Sequence, residues 1–336
     1  MPLRTALITG ATGLVGSHIV ERLLSEGWTV RALVRAPSPE LTSLGVETVQ
    51  GDILDAESFA SAAAGRDVIF HTAAAVTPSG GWESFRRPNV DGTKAAIVAA
   101  ERSGARLLQL SSVAVYGQDA RYGSPGHKTG EDTPLGPLPE RAYYARSKRE
   151  SEQLVLEAHN AGRIWATAVR PDVIYGRRDR QFVPRMAKLL SRAAGLTPVI
   201  GGGRATLAIV HAANVADGAV RAATFDGAGG QAYNLANDYD VTVREFFRLG
   251  GEGLGRRVRF ISVPLPVARV AFRVIKRVVT TLTGGRLNAV SNASIDFLTK
   301  DNPFTSDRAR RELGWSPTVR PEQGVPEAFR WWLTHQ

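Results

Sequence analysis

The stretch T-G-A-T-G-L-V-G at 9–16 constrains this chain more than any other. It follows the apolar run T-A-L-I-T at 5–9 and opens a segment, Ser17 to Glu26, in which Ile19, Val20, Leu23 and Leu24 share one helical face. Gly10 suits the tight turn, Gly13 lets a pyrophosphate approach the backbone, and Gly16 lets the helix pack close to the strand. Free N–H groups at the helix start would face the phosphates. Thr12, Leu14 and Val15 belong to the same turn and are expected contacts too. Glycines between a strand and a helix at this spacing point to a dinucleotide-binding unit.

The rest of the first half supports that reading. Runs at 29–34, 47–52, 67–73, 106–111 and 165–171 read as strands, and helical patterns fall near 55–64, 89–103 and 141–160. Such alternation predicts an α/β fold, a doubly wound parallel sheet of the Rossmann kind. After Pro171 the rhythm loosens, although 207–211 and 231–236 are expected to rejoin the sheet. The expected organisation is a dinucleotide-binding domain over 1–171, rejoined by 207–236, and a smaller, discontinuous substrate lobe over most of 172–336.

A carboxylate gripping a ribose 2′-OH should lie about 20 residues past the glycines. No Asp or Glu occurs from Gly27 to Pro39, and Arg35 stands at the end of the second strand run. A guanidinium pairs with a 2′-phosphate where a carboxylate would repel it, so NADP(H) is favoured over NAD(H). Arg35 could also be a solvated strand-end residue or stack on adenine.

The chain has no cysteine, which excludes disulfides and thiolate chemistry, and no metal is expected. The N-terminus lacks a signal-peptide pattern, and no run is long and apolar enough to span a membrane, so a cytoplasmic location is expected. The net charge is +10, yet no nucleic-acid motif accompanies it. The excess is uneven: from Gly253 to Ile295 there is no acid, while Arg256, Arg257, Arg259, Arg269, Arg273, Lys276, Arg277 and Arg286 fall there. Within 264–282, Val267, Val270, Ala271, Val274, Ile275, Val278 and Leu282 accompany these cations at helical spacing. Three readings stay open for this helix: packing on the core, rimming an apolar substrate pocket, or touching an anionic membrane surface.

Residues 143–148 read Y-Y-A-R-S-K. Helical spacing pairs Tyr144, not Tyr143, with Lys148. An ammonium and a cationic nicotinamide would lower the phenol from its usual value near 10 and fit it for proton transfer. A hydroxyl in Q-L-S-S-V-A-V-Y-G (109–117) would sit at a strand end, where ligands of parallel sheets bind.

G-A-T-G-L-V-G, S-S-V-A-V-Y-G and Y-A-R-S-K, in this order, resemble the extended short-chain dehydrogenase/reductase superfamily. The likeness extends to R-R-E-L-G-W-S-P at 310–317. It implies Ser112, rather than Ser111, as the catalytic hydroxyl, Tyr144 as general acid/base and Lys148 as its partner and a ribose contact. It further implies cofactor contacts from Asp52, Ile53, Thr72, Ala73, Ala74, Asn89, Pro171 and Val173, and a homodimer through the helices near 89–103 and 141–160.

Three local features separate the branches. Ala205 to Ala208 stand where sugar-nucleotide enzymes carry a diphosphate-clamping arginine, although Arg204 lies beside them. Val113 and Ala114 replace the acidic pair of dehydratases, and N-V-A at 214–216 is similar to the 3β-hydroxysteroid dehydrogenase branch, with its dihydroflavonol-reductase-like relatives. The expected activity is therefore an NADP(H)-dependent oxidoreductase acting on a hydroxyl/ketone pair of an apolar small molecule. The rivals are a nucleotide-sugar epimerase holding NAD and a non-catalytic NADP sensor. His71 and His211 read as structural histidines, and Asp172 and Asp217 as local backbone partners.

Overall fold

The structure, a computed structural model, describes residues 4–77, 80–117, 128–192, 196–236, 238–283 and 292–335. Its strands are β1 (Thr5–Thr9), β2 (Thr29–Val34), β3 (Glu47–Gln50), β4 (Val68–His71), β5 (Arg106–Leu110), β6 (Ala166–Pro171), β7 (Val173–Tyr175), β8 (Leu196–Ile200), β9 (Ile209–His211), β10 (Ala232–Leu235) and β11 (Arg259–Val263). The principal helices are α1 (Leu14–Ser25), α2 (Ala56–Ala63), α3 (Gly92–Ser103), α4 (Tyr143–Asn160), α5 (Phe182–Arg192), α6 (Ala212–Thr224), α7 (Val243–Gly253), α8 (Leu265–Thr283) and α9 (Pro321–Thr334).

Seven strands form one parallel sheet in the order β10-β6-β5-β4-β1-β2-β3. The chain reverses its direction of travel beside β1, which leaves a crevice at the strand ends between β1 and β4. β1, β4 and β5 are apolar because both faces are covered. On one face α1 and α6 bury Ile19, Val20, Leu23, Val215 and Ala219 against Ala6, Ile8 and Phe70. On the other, α2, α3 and α4 bury Phe59, Ala96, Ala100 and Val155 against Leu7, Ile69 and Leu107. A separate core of Val183, Phe246, Phe247, Leu249 and Phe329 holds α5, α7 and α9 together.

Two expectations need correction. Residues 207–211 do not rejoin the main sheet: β9 pairs in parallel with β7, from Val173↔Ile209 to Tyr175↔His211, while β10 does take the sheet edge beside β6. The helix expected from Ser17 begins at Leu14, because Gly13 in extended conformation starts it without any side-chain cap. In α8, Ala268 is buried but Val267, Val270 and Val274 are 57%, 52% and 56% exposed, so its valine face does not pack on the core. The side chains of Ile275, Lys276, Val278 and Leu282, and the whole of Arg286, lie outside what the structure describes.

One buried ionic fork ties α4 to the sheet. Arg170 on β6 donates to both oxygens of Glu152, at 3.0 and 2.6 Å, and to the Tyr116 hydroxyl at 2.7 Å. Tyr116 in turn donates to Asn234 Oδ1 on β10 at 2.9 Å. Burial disfavours the Arg170 charge, but its hydrogen bonds to Glu152 and Tyr116 and the Glu152 charge outweigh it and hold its pKa up. Removing one member would strand a buried charge, so Glu152→Ala should cost about 3–5 kcal/mol in equilibrium urea unfolding. A loss below about 1 kcal/mol, the size of an exposed pair, would show that the fork does not fasten this helix.

Candidate functional site

The β1–α1 turn is packed too tightly for side chains. Gly10 has φ +73, and a Cβ there would lie 2.9 Å from the Ala73 nitrogen. A Cβ on Gly16 would lie 2.2 Å from the Gly10 carbonyl oxygen and 2.9 Å from Thr72 Oγ1. Thr72 is itself fixed, its hydroxyl donating to the Thr9 carbonyl at 2.7 Å. Since no side chain caps α1, its first N–H groups remain available to an anion.

A cleft of about 920 Å³ opens over this turn. It brings together Gly10, Thr12, Arg35, Asp52, Ile53, Ala73 and Ala74, seven of the expected contacts drawn from the ends of four strands. Gly13, Leu14, Val15 and Gly16 form the turn and first helical residues beneath it, with Val15 buried. Asp52 accepts the Leu54 N–H at 2.9 Å, and Arg35 is exposed at the end of β2. The cleft also has a wall that sequence reasoning missed: Arg178, Arg180, Trp331 and His335.

Asn89, Ser112, Tyr144, Lys148, Pro171 and Val173 are not part of this cleft's lining. Asn89 sits in a π-helical turn, Arg86–Asp91, a geometry frequent at functional sites. Its amide bonds Ala75 in both directions, at 2.7 and 2.9 Å, and donates to Ser147 Oγ at 2.9 Å. Asn89 thereby joins the strand β4 exit to α4. Pro171 closes β6 and Val173 opens β7, with the Asp172 carboxylate accepting the Val173 N–H at 2.8 Å.

Ser112 follows β5 in extended conformation and accepts the Ala114 N–H at 3.2 Å. Ser111 is buried beside it. Tyr144 and Lys148 stand one turn apart on α4. Burial pushes the Tyr144 phenol above its usual value; a hydrogen bond with Ser112 draws it down and the Asp172 charge adds to the rise. Lys148 is 3% exposed and donates to the Leu110 carbonyl at 2.7 Å. Burial lowers it to about 8, with Glu152 opposing. Tyr143 packs instead between the rings of Trp82 and Phe85, with centroids 6.3 and 6.2 Å away.

His71 bonds Thr9 Oγ1 at 2.8 Å, and burial followed by the Lys148 charge lowers it to about 3. His211 accepts the Ala213 N–H at 3.2 Å as the α6 cap and packs edge-on against Tyr175. Both occupy structural positions. Asp172 does bond backbone, but Asp217 pairs with Arg22 and Arg221 instead. Among the described residues no group of three His, Asp or Glu could hold a metal.

Comparison with known proteins accords with this architecture. Residues 6–236 match the NAD dependent epimerase/dehydratase family. A 4-hydroxy-2-methyl-3-oxo-4-farnesyl-3,4-dihydroquinoline-1-oxide ketoreductase of Stigmatella aurantiaca is 30% identical over 321 residues, 95% of this chain and 93% of that one. A 3-beta-hydroxysteroid dehydrogenase of Mycolicibacterium neoaurum is 29% identical over 97% of this chain and 91% of its own. A dTDP-glucose 4,6-dehydratase from Streptomyces venezuelae, DesIV, solved with NAD, superposes with a TM-score of 0.72 at 23% identity, covering 98% of this chain and 97% of that one. That likeness speaks for the fold alone.

The chain belongs to the NAD dependent epimerase/dehydratase family, among the extended short-chain dehydrogenases/reductases, and is an NAD(P)-dependent oxidoreductase. The glycine cradle, the uncapped helix start and the cleft suit a dinucleotide. Gly16→Ala forces a methyl into the Gly10 carbonyl, so it should weaken nicotinamide dinucleotide binding at least about tenfold in a fluorescence titration. Wild-type affinity in that variant would refute the role given to the turn.

Proposed function

We propose that this family member interconverts a hydroxyl and a ketone on a largely apolar substrate, using NADP(H). The observation that carries the reading is the grouping of Ser112, Tyr144 and Lys148 at the end of β5: Tyr144 hydrogen-bonds Ser112, and Lys148, one turn further along α4, donates to the Leu110 carbonyl at 2.7 Å. Apolar substrate chemistry is supported by the ketoreductase and hydroxysteroid dehydrogenase relatives, and NADP(H) by Arg35 in place of a carboxylate.

When bound, the nicotinamide supplies or accepts the hydride. This chain's residues handle the oxygen and its proton. Tyr144, kept protonated by burial, donates its phenolic proton to the substrate oxygen as a ketone is reduced and recovers it in the reverse direction. The Ser112 hydroxyl holds that oxygen against the phenol. Lys148 carries the compensating charge near Tyr144 and offers a donor to the nicotinamide ribose. Tyr144→Phe should reduce turnover by at least about a thousandfold while NADPH affinity stays within about threefold, measured at 340 nm and by fluorescence titration. Near-normal turnover in that variant would refute the assignment. Purified protein that carries NAD and epimerises a UDP-sugar without added cofactor would favour the epimerase reading instead.

An apolar substrate gives α8 a role. We infer that α8 rests on an anionic lipid surface. Val267, Val270 and Val274 form one exposed stripe at helical spacing, and the exposed Arg269, Arg273 and Arg277 form the ridge beside it. No acid lies between Gly253 and Ile295 to oppose lipid phosphates, and like charge opposes self-pairing of this face. No helix among the described residues is long and apolar enough to cross a membrane, so the contact is peripheral. The protein should sediment with vesicles containing phosphatidylserine and not with pure phosphatidylcholine. Val267, Val270 and Val274 changed together to Ser should abolish it; equal sedimentation of that variant, or none by the wild type, would overturn the inference.

A further inference from the structure

Four residues of the cleft wall come from far along the chain, and three of them have their chemistry accounted for differently from the fourth. The loop Gly176–Gln181 crosses from β7 to α5 over the outer side of α1. Arg177 pairs with Glu21 at 2.7 Å and with Glu327 at 3.1 Å. Arg178 pairs with Glu21 at 2.9 Å and with Glu40, and Glu40 is itself a cleft residue just beyond Arg35. Asp179 accepts the N–H groups of Gln181, Phe182 and Val183 at 2.7, 3.0 and 2.9 Å, which pins the loop to the start of α5. Arg178 has φ +66, the one non-glycine residue in the left-handed region among the described residues. Such a backbone persists only where its surroundings over-determine it, and here two carboxylates, Glu21 and Glu40, hold the Arg178 guanidinium.

Arg180 is the exception in this loop. It is exposed, it lines the cleft, and it makes no ion pair among the described residues. Arg35, on the same cleft, is in the same position. Every other strand-end residue of the cleft follows β1, β2, β3 or β4; Ser112, Tyr144 and Val173 are not among its lining. The cleft is therefore the adenosine and diphosphate half of the dinucleotide site. Two arginines with no carboxylate partner in one concave site are a match for a dianionic phosphomonoester, which each can grip with a planar fork.

We propose that Arg180 is a second reader of the cofactor's 2′-phosphate, acting with Arg35, so that cofactor choice is made jointly by the β2 end and the β7–α5 loop. Trp331 and His335, stacked at 4.4 Å and 11°, close the same wall. The proposal rests on the NADP(H) reading above and deepens it: the discriminating site is completed only by a loop from the far side of the crevice, held in place by Arg177, Arg178 and Asp179.

The test uses the full chain, with wild type, Arg35→Gln, Arg180→Gln and the double variant titrated against 2′,5′-ADP, 5′-AMP, NADPH and NADH. Arg180→Gln should weaken 2′,5′-ADP and NADPH by about tenfold, the size of one lost charge-assisted contact, with 5′-AMP and NADH within about twofold. Equal weakening of NADPH and NADH would mean that Arg180 reads the diphosphate, and unchanged 2′,5′-ADP affinity would mean that it reads neither; both overturn the proposal. If the wild type itself fails to prefer 2′,5′-ADP over 5′-AMP, the NADP(H) reading fails with it. A wild-type preference that survives Arg180→Gln but not Arg35→Gln sinks the second reader alone.

Discussion

The buried fork between Arg170 and Glu152 is the contact on which the geometry of this molecule turns. A parallel sheet aligns its strand ends, but it does not fix how a covering helix slides along them. Arg170 sits one residue before the end of β6, and Glu152 is one turn beyond Lys148 on α4. The fork thus sets the height of α4 against the sheet, and with it where Tyr144 and Lys148 meet the end of β5. Through Tyr116 and Asn234 the same network reaches β10, and Asn234 donates on to the carbonyls of Thr129 and Thr305. Taking both charges out of water is costly, and two parallel hydrogen bonds make that cost tolerable while specifying one register.

Much of the fold could be read from the chain because its signals are local. The strands β1, β2, β5 and β6 are mostly apolar and mostly buried, and such runs announce themselves at their own positions. Partners are a different matter. The 207–211 run reads as a strand and is one over Ile209–His211, but nothing in its apolar pattern says that it pairs with β7 rather than the main sheet. The valines of α8 carry the same ambiguity. Helical spacing showed that Val267, Val270 and Val274 share a face; whether that face meets a core or solvent depends on neighbours that periodicity does not encode.

At the candidate site the legible part was again the part written at short range. Gly10 and Gly16 declare a close packing of turn, helix and strand that the 2.9 and 2.2 Å contacts of added methyl groups bear out. Tyr144 and Lys148 declare a shared face, and Tyr143 is directed away toward Trp82 and Phe85. Arg178, Arg180, Trp331 and His335 were not legible. They arrive from more than 130 residues beyond Arg35, and the run R-R-D-R at 177–180 looks like an ordinary charged turn until Glu21 and Glu40 absorb part of its charge.

Electrostatics was the least legible layer, and the pair that suggested the chemistry shows why. Spacing alone puts an ammonium beside a phenol and suggests that the first lowers the pKa of the second. Burial acts on both groups at once, and it acts in opposite senses: the phenol resists losing its proton, and the ammonium is pulled down to about 8. Lys148 meanwhile spends a donor on the Leu110 carbonyl, and the hydrogen bond that does lower the phenol comes from Ser112. The buried pocket therefore favours the arrangement with the proton on Tyr144, which is the form that delivers a proton to an oxygen gaining negative charge. In the reading proposed above, charge appearing on a substrate oxygen would be answered by Ser112 and Tyr144 in surroundings that screen it little.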